Sequence, residues 1–284
     1  MRNWKKIVTV AIGIFLVLSA SGLSCSKGTV ENFETQGPTQ AQLVLLKKAY
    51  DELYSFDYYD DKFEMEWEGA LKERFGQLCQ KEIRVTIEVQ AEDYQSPEET
   101  LKRKRGDCTD FSNLFISVAR NLGIPAQVVM GKVEAPEGVI GHAWAEIYYD
   151  GKWRAIDLRA RANGKKIPFE WWLEGLISLK VREIDCRYNA EMFEGKTLIE
   201  IAKSSEEINK RGFFDNLSET FKKARGREPT EEESREFTEM AEDIERKCWE
   251  IIIKYIPEDP HSLIQVDSHQ IKAWIDTLRD QTKG

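Results

Sequence analysis

The chain lacks several features that would assign it to other classes of protein. Its 284 residues contain no apolar run of the roughly 20 residues that a transmembrane helix needs. Lys and Arg number 41 against 50 Asp and Glu, and apart from a short basic stretch at 102–105 no basic block stands out, so nucleic acid is not an expected partner. The five cysteines lack the CxxC spacing of structural zinc sites, and we expect no metal and no other cofactor.

The composition is that of a globular protein. Hydrophobic residues make up 41% of the chain and charged residues 32%, and the length allows one large domain with additions or two small ones. The net charge of −9 favours solubility and identifies no ligand.

The N-terminal segment has the architecture of an export signal. A basic start is followed by an apolar run from Ile7 to Leu18 and then by small residues. The sequence that ends at Cys25 resembles a bacterial lipoprotein signal, which implies lipidation of Cys25 and attachment to the membrane through the N-terminus. An uncleaved anchor and free secretion are the alternatives. All three predict that the folded part lies outside the cytoplasm, in the cell envelope or beyond it.

The remaining chain divides into three parts by pattern. Residues 26–40 are polar with Gly and Pro and are predicted to be a flexible tether, residues 41–195 the main domain, and residues 196–284 a helical C-terminal region. Two amphipathic helices are predicted at the start of the main domain from apolar residues at helical spacing, which are Leu43, Leu46, Tyr50 and Leu53, and then Phe63, Trp67, Leu71 and Leu78. A strand is predicted over 82–89.

Cys108 is predicted to lie at the N-terminus of a helix. Asp107 is a suitable N-cap, Asp110 suits the first turn, and an apolar stripe continues until Gly123 and Pro125 end the helix. Backbone N–H groups and partial positive charge at a helix N-terminus favour a thiolate and can also hold an oxyanion.

His142 and Asp157 are predicted to meet across a β-hairpin. Asp150-Gly151 is a strong two-residue turn signal, and it pairs residues whose numbers sum to 301. Asp157 then lies diagonally opposite His142 on the face that also holds Trp144, within about 7 Å at the backbone. Only the tertiary fold can bring in Cys108, which precedes His142 by 34 residues.

Two sequence segments carry a family resemblance: GDCTDFSNLFISVARNLGIPAQVVMG and GHAWAEIYYDGKWRAID. Together they make 97–159 similar to the transglutaminase-like superfamily, whose core is papain-like. The resemblance implies that Cys108 is the nucleophile, His142 the base and Asp157 the residue that orients the base. The family usually has Pro after the aspartate, where this chain has Leu158-Arg159. For the oxyanion or substrate, Gln95, Tyr94 and Trp144 are candidates.

Each of these residues also has a plain structural interpretation. An isolated cysteine before an apolar helix is more often a buried structural thiol, and a histidine on a strand is commonly a packed core residue. Cys79, Cys186 and Cys248 are expected to be buried small hydrophobes. Trp171 and Trp172 are expected in the core, with a substrate groove as the alternative.

We therefore predict an α+β fold: a papain-like core, in which the Cys108 helix packs on an antiparallel sheet, with helical additions at both ends. The predicted function is a cysteine hydrolase or acyltransferase that acts on peptide amide bonds, with a peptide or protein as substrate. The alternatives are a non-catalytic peptide-binding module and an envelope scaffold on the same fold. The oligomeric state is not predicted.

Overall fold

The computed structural model describes residues 9–13, 37–58, 62–66, 70–80, 84–90, 95–136, 138–162, 164–203, 206–257 and 259–282. The helices of these residues are α1 Gln40–Leu53, α2 Ala70–Cys79, α3 Pro97–Arg103, α4 Cys108–Asn121, α5 Phe169–Leu173, α6 Leu198–Lys203, α7 Glu206–Arg225, α8 Glu231–Tyr255 and α9 His269–Asp280, with a 3-10 turn at Pro260–Leu263.

The strands are short except in the main sheet. They are β1 Thr9–Gly13, β2 Asp57–Tyr58, β3 Lys62–Glu66, β4 Arg84–Gln90, β5 Arg105–Gly106, β6 Ala126–Ala135, β7 Gly138–Tyr149, β8 Lys152–Ile156, β9 Arg161–Ala162, β10 Lys165–Lys166, β11 Val181–Tyr188 and β12 Phe193–Gly195. Together with the helices they confirm the predicted α+β class.

Contacts divide the chain into two compact units with interleaved ranges. One unit takes the described residues of 1–16, 60–93 and 199–256, and the other takes those of 17–59, 94–198 and 257–284. The division at 25, 40 and 195 that the sequence suggested stays a prediction.

The larger unit is built on a five-stranded antiparallel sheet with strand order β12-β11-β6-β7-β8. Helix α4 packs on β6 and β7, and α1 and α9 pack on α4. The apolar stripe of α4 is fully buried, including Phe111, Leu114, Phe115 and Val118. Each such side chain contributes about 2 kcal/mol by leaving water, so the stripe holds the helix that begins at Cys108 firmly against the sheet.

The smaller unit has its own core. Its sheet has the order β1-β4-β3, with β1 parallel and β3 antiparallel to β4. Side chains of α2, α7 and α8 form a buried cluster that includes Phe75, Phe221, Phe237 and Cys248. Helix α8 begins at the predicted capping box, because Thr230 and Glu233 exchange hydrogen bonds between side chain and backbone.

The prediction of one helix from Phe63 to Leu78 was wrong at its start. Residues 62–66 form β3, and the helix, α2, begins only at Ala70. Lys-Phe-Glu-Met-Glu alternates strictly between polar and apolar, which is the period of a strand. Pairing of Phe63 with Val89 and of Met65 with Ile87 then decides for the strand.

The predicted signal segment lies mostly outside the described residues. Only Thr9–Gly13 of it is described, as β1, and neither Cys25 nor any residue of the tether before Gly37 is. Within the described ranges, every helix is too short or too polar to cross a bilayer.

Candidate active site

The hairpin of β7 and β8 has the predicted register. Tyr149 pairs with Lys152, and the pairs continue to Ala145 and Ile156, each with numbers that sum to 301. Asp150 and Gly151 both have positive φ, of 49° and 71°, as the tight turn requires. Asp157 follows directly after the last paired residue of β8.

His142 and Asp157 are hydrogen-bonded to each other. His142 Nε2 lies 2.9 Å from Asp157 Oδ2, and both side chains are nearly buried. The second carboxylate oxygen, Oδ1, accepts the backbone N–H groups of Arg159 at 2.8 Å and Ala160 at 3.0 Å. The carboxylate is therefore held by its own loop and in turn fixes the orientation of the imidazole.

Trp144 lies two residues further along β7 and is fully buried. Its ring stacks on the imidazole of His142, with centroids 6.4 Å apart and an interplanar angle of 24°. The indole Nε1 has no hydrogen-bond partner among the residues that the structure describes. The position fixes one face of the imidazole, and the role suggested for Trp144 at the oxyanion or substrate stays a prediction.

The first turn of α4 is closed by a capping box. The Asp107 side chain accepts the backbone N–H of Asp110, and Asp110 accepts the backbone N–H of Asp107. Gly106 is required beside it, because a Cβ at this position would lie 2.7 Å from the Cβ of Asp110. Cys108 follows the cap as the first residue of the helix and is only partly buried.

Gln95 closes the same cap from outside the helix. Its backbone N–H and its side-chain Nε2 donate to the two carboxylate oxygens of Asp110, at 2.9 and 3.0 Å. The amide donor is thus engaged by Asp110, and its role as an oxyanion donor stays a prediction. Tyr94, the neighbouring candidate, lies outside the described residues.

The fold brings Cys108 to His142. Burial alone would lower the pKa of the imidazole, but hydrogen bonds to Asp157 and to Cys108, together with their charges, raise the pKa of His142 well above its ordinary 6.5. Since Nε2 is bound to Asp157, Nδ1 is the ring nitrogen left for the sulfur. The raised pKa favours the protonated imidazole at neutral pH.

Asp157 shows the complementary effect. Burial would raise the pKa of its carboxyl group, yet the hydrogen bond and charge of His142 and the two backbone N–H groups lower it below the ordinary 3.8. The carboxylate stays ionised at every physiological pH, as a residue that orients a charged imidazole must.

The other cysteines follow their expected placement. Cys79, Cys186 and Cys248 are buried, whereas Cys108 is only partly buried. Trp172 is buried and donates its Nε1 hydrogen to Tyr50 Oη, whereas Trp171 is exposed. No set of three or more His, Cys, Asp and Glu side chains in the described part of the chain is arranged to hold a metal ion.

Two features of the site escaped the sequence reasoning. The bonds from Gln95 to Asp110 join residues 15 positions apart, with α3 and β5 between them, so no local sequence pattern predicts them. The N-terminus of α3 was also missed, although Ser96 followed by Pro97 is a recognisable N-cap and first-turn pair.

A cysteine at a helix N-terminus, hydrogen-bonded to a buried histidine that is oriented by an aspartate, defines the class of papain-like thiol sites. Residues 70–158, about a third of the chain, match the model of the transglutaminase-like superfamily, and this range includes Cys108, His142 and Asp157. This part of the chain is therefore similar to the transglutaminase-like core.

Solved structures and curated sequences add the following. LapG of Legionella pneumophila is similar at 16% identity and a TM-score of 0.34, over 62% of this chain and 81% of that chain. The calcium-bound form of LapG is similar at 14% identity and a TM-score of 0.34, over 58% of this chain and 80% of that chain. A structure named as a TGase shares 20% identity at a TM-score of 0.25, over 49% of this chain and 37% of that chain. No curated protein sequence matches.

Proposed function

We propose that the protein is a thiol enzyme that cleaves peptide amide bonds through a thioacyl intermediate, with Cys108 as nucleophile, His142 as acid and base, and Asp157 as the residue that orients His142. The observations that carry the proposal are the bond of 2.9 Å between His142 Nε2 and Asp157 Oδ2 and the interaction of Cys108 with the same imidazole, which raises the pKa of His142. The raised pKa of His142 favours the imidazolium. A neighbouring positive charge favours a thiolate, which is the nucleophilic form of cysteine.

The reaction would proceed in two balanced steps. The Cys108 sulfur attacks the carbonyl carbon, the oxyanion collapses, and the carbon–nitrogen bond breaks as His142 gives its proton to the leaving amine. Water then attacks the thioester while His142 takes a proton from it, which releases the acid and restores the thiolate. Backbone N–H groups in the first turn of α4 are the nearest donors for the oxyanion.

Hydrolysis is the outcome that we favour over cross-linking. An amine in place of water would resolve the same thioester by acyl transfer, so the two reactions differ only in the second nucleophile. The two reactions can be distinguished by incubating a cleavable peptide with and without a primary amine and measuring the product masses by mass spectrometry. An amide adduct in place of the free acid would identify acyl transfer.

The thiol site is tested by its reactivity. Iodoacetamide at about pH 6, with the modified residues identified by mass spectrometry, should label Cys108 about tenfold or more faster than the buried Cys79, Cys186 and Cys248 in the same chain. In His142→Ala this preference should disappear, because the thiolate loses its counter-ion.

The matched control is His261→Ala. His261 Nδ1 donates a hydrogen bond to the backbone oxygen of Asn189 and not to a residue of the proposed triad, so its loss should leave the labelling rate of Cys108 unchanged. Slow labelling of Cys108 in the wild-type protein, at the rate of the buried cysteines, would refute the enzyme and leave a peptide-binding module as the better account.

We also propose that the protein is exported and held at the membrane through Cys25. The support is the pattern of residues 1–25: basic, apolar, small and then cysteine. Metabolic labelling with a fatty acid, followed by membrane fractionation, should find the lipid on the wild-type chain and not on Cys25→Ala. An unlabelled, soluble wild-type protein would contradict anchoring.

A further inference from the structure

A cluster of arginines and tyrosines lies beside the proposed catalytic residues. The guanidinium of Arg159 lies over three rings, at 5.8 Å from Tyr54, 5.0 Å from Tyr58 and 5.3 Å from Phe111. Arg161 lies over the Tyr54 ring at 5.4 Å. We call Arg159, Arg161, Tyr54 and Tyr58 the arginine–tyrosine cluster.

Two backbone relations put this cluster next to the thiol. Pairing of β2 with β5 sets Tyr58 opposite Gly106, two residues before Cys108. Phe111 follows Cys108 by one turn on the same side of α4. Because Arg159 contacts the rings of both Tyr58 and Phe111, its positive charge lies near the N-terminus of the helix that carries the thiol.

The cluster has unbalanced positive charge. Within the described ranges neither arginine forms an ion pair: Arg159 donates to the backbone oxygen of Phe56 at 3.0 Å, and Arg161 to that of Gly164 at 3.4 Å. Burial, and then the charge of Arg161, lower the pKa of Arg159 below its ordinary value. The charge of Asp157 partly offsets this lowering, but that carboxylate is hydrogen-bonded to His142, so among the described residues the two guanidinium groups have no carboxylate of their own.

Two other basic side chains near α1 are compensated by carboxylates. Lys166, which also lies over the Tyr54 ring, forms an ion pair with Asp51, and Lys47 pairs with Asp51 and Glu170. Arg161 and Tyr58 are exposed, so an anion from solution can reach the cluster. A guanidinium stacked on rings keeps its N–H edge directed outward, where it binds carboxylates in a planar, paired geometry.

We propose that the arginine–tyrosine cluster binds a carboxylate of the peptide substrate and so determines which peptides Cys108 attacks. The proposal rests on the proposed function, since it assigns a subsite to the same thiol. The carboxylate has two possible sources, an acidic side chain near the cleaved bond or the C-terminus of the peptide, and both share one recognition chemistry.

The first experiment compares two alkylating agents at Cys108 that differ in charge. Iodoacetate is an anion and iodoacetamide is neutral, so the ratio of their rates reports positive charge near the sulfur. Arg159→Gln and Arg161→Gln should each lower the iodoacetate to iodoacetamide ratio about threefold, and the effect should shrink in 1 M salt, where the Debye length is about 3 Å.

Two variants serve as controls. Arg159→Lys keeps the charge and should keep the ratio. Arg279→Gln removes an exposed arginine of α9 that pairs with Asp276, and should also leave the ratio unchanged. Circular dichroism of each variant shows whether it is folded.

The second experiment identifies the source of the carboxylate. Three capped tripeptides compete with iodoacetamide for Cys108: Ala-Glu-Ala with an amidated end, Ala-Gln-Ala with a free end, and Ala-Gln-Ala with an amidated end. The peptide that presents the right carboxylate should protect Cys108 at least about threefold better than the neutral one, and Arg159→Gln with Arg161→Gln should abolish the difference.

The results separate the two proposals. A Cys108 that reacts no faster with iodoacetamide than the buried cysteines would overturn the thiol enzyme and the subsite together. A reactive Cys108 whose reagent ratio is the same in the wild type and in both glutamine variants, or equal protection by all three peptides, would overturn the subsite alone.

Discussion

Asp110→Ala should destabilise the larger unit and release the helix start that carries Cys108. The buried Asp110 carboxylate accepts the backbone and side-chain N–H groups of Gln95 and the backbone N–H of Asp107. Each donor left buried without a partner costs about 1–3 kcal/mol. Two of these three donors belong to the buried Gln95 and would stay without a partner, whereas the N–H of Asp107 can bind water. We therefore expect the free energy of unfolding to fall by about 3–5 kcal/mol.

The assay must report on this unit. Cys186 is buried in β11 of the main sheet, so its labelling by a thiol reagent in increasing urea gives the unfolding midpoint of the larger unit. The rate at Cys108 in native buffer should fall as well, because the cap no longer sets the first turn of α4.

The matched control is Glu233→Ala in α8. Glu233 occupies the same capping-box position, but among the described residues its bonds are to Thr230, the N-cap of its own helix, and to Arg227 at the surface. Labelling of the buried Cys248 in α8 reports on unfolding of this smaller unit. Glu233→Ala should lower the free energy of unfolding of this unit by no more than about 1 kcal/mol. A loss for Asp110→Ala as small as that for Glu233→Ala would refute the reasoning that buried donors dominate the cost.

Three further predictions follow from the site. Asp157→Asn should lower the pKa of His142 in a proton NMR titration, because Cys108 alone would then oppose the effect of burial, which lowers this pKa. An unchanged pKa would show that Asp157 does not stabilise the imidazolium. The raised pKa of His142 stabilises the folded protein fully below about pH 6.5, and this stabilisation is lost as the pH rises through the pKa of His142 in the folded state. The difference in free energy of unfolding between the wild type and Asp157→Asn should therefore become smaller over this pH range. A difference that stays constant with pH would contradict the prediction. Tyr50→Phe should cost about 1–3 kcal/mol of unfolding free energy in urea, since Tyr50 Oη bonds both Ile167 O and Trp172 Nε1 in the core, whereas Lys152→Ala at the exposed turn should cost almost nothing.

Local geometry made half of the site predictable. A two-residue turn at Asp150-Gly151 fixes the hairpin register, so the proximity of His142 and Asp157 follows from counting along two strands. The start of α4 at Cys108 follows in the same way from Asp107 and Asp110, because capping depends on residues three apart.

Longer-range features could not be read from such patterns. Contact between Cys108 and His142 depends on how α4 packs on β6 and β7, and the sequence supported it only through family resemblance. The positions of Phe63 and Met65 in the sequence are compatible with both a helix and a strand, and only the pairing with β4 shows that this segment is a strand. The stacking of Arg159 on Phe111 joins residues with no periodic relation at all.

The short separation between His142 and Asp157 has a consequence for how the protein matures. A hairpin closes within microseconds of being synthesised, whereas the sulfur reaches the imidazole only when the helix docks on the finished sheet. A nascent chain that has closed the hairpin but has not yet docked α4 therefore lacks the contact between Cys108 and His142, and we expect its thiol to react more slowly than that of the folded protein.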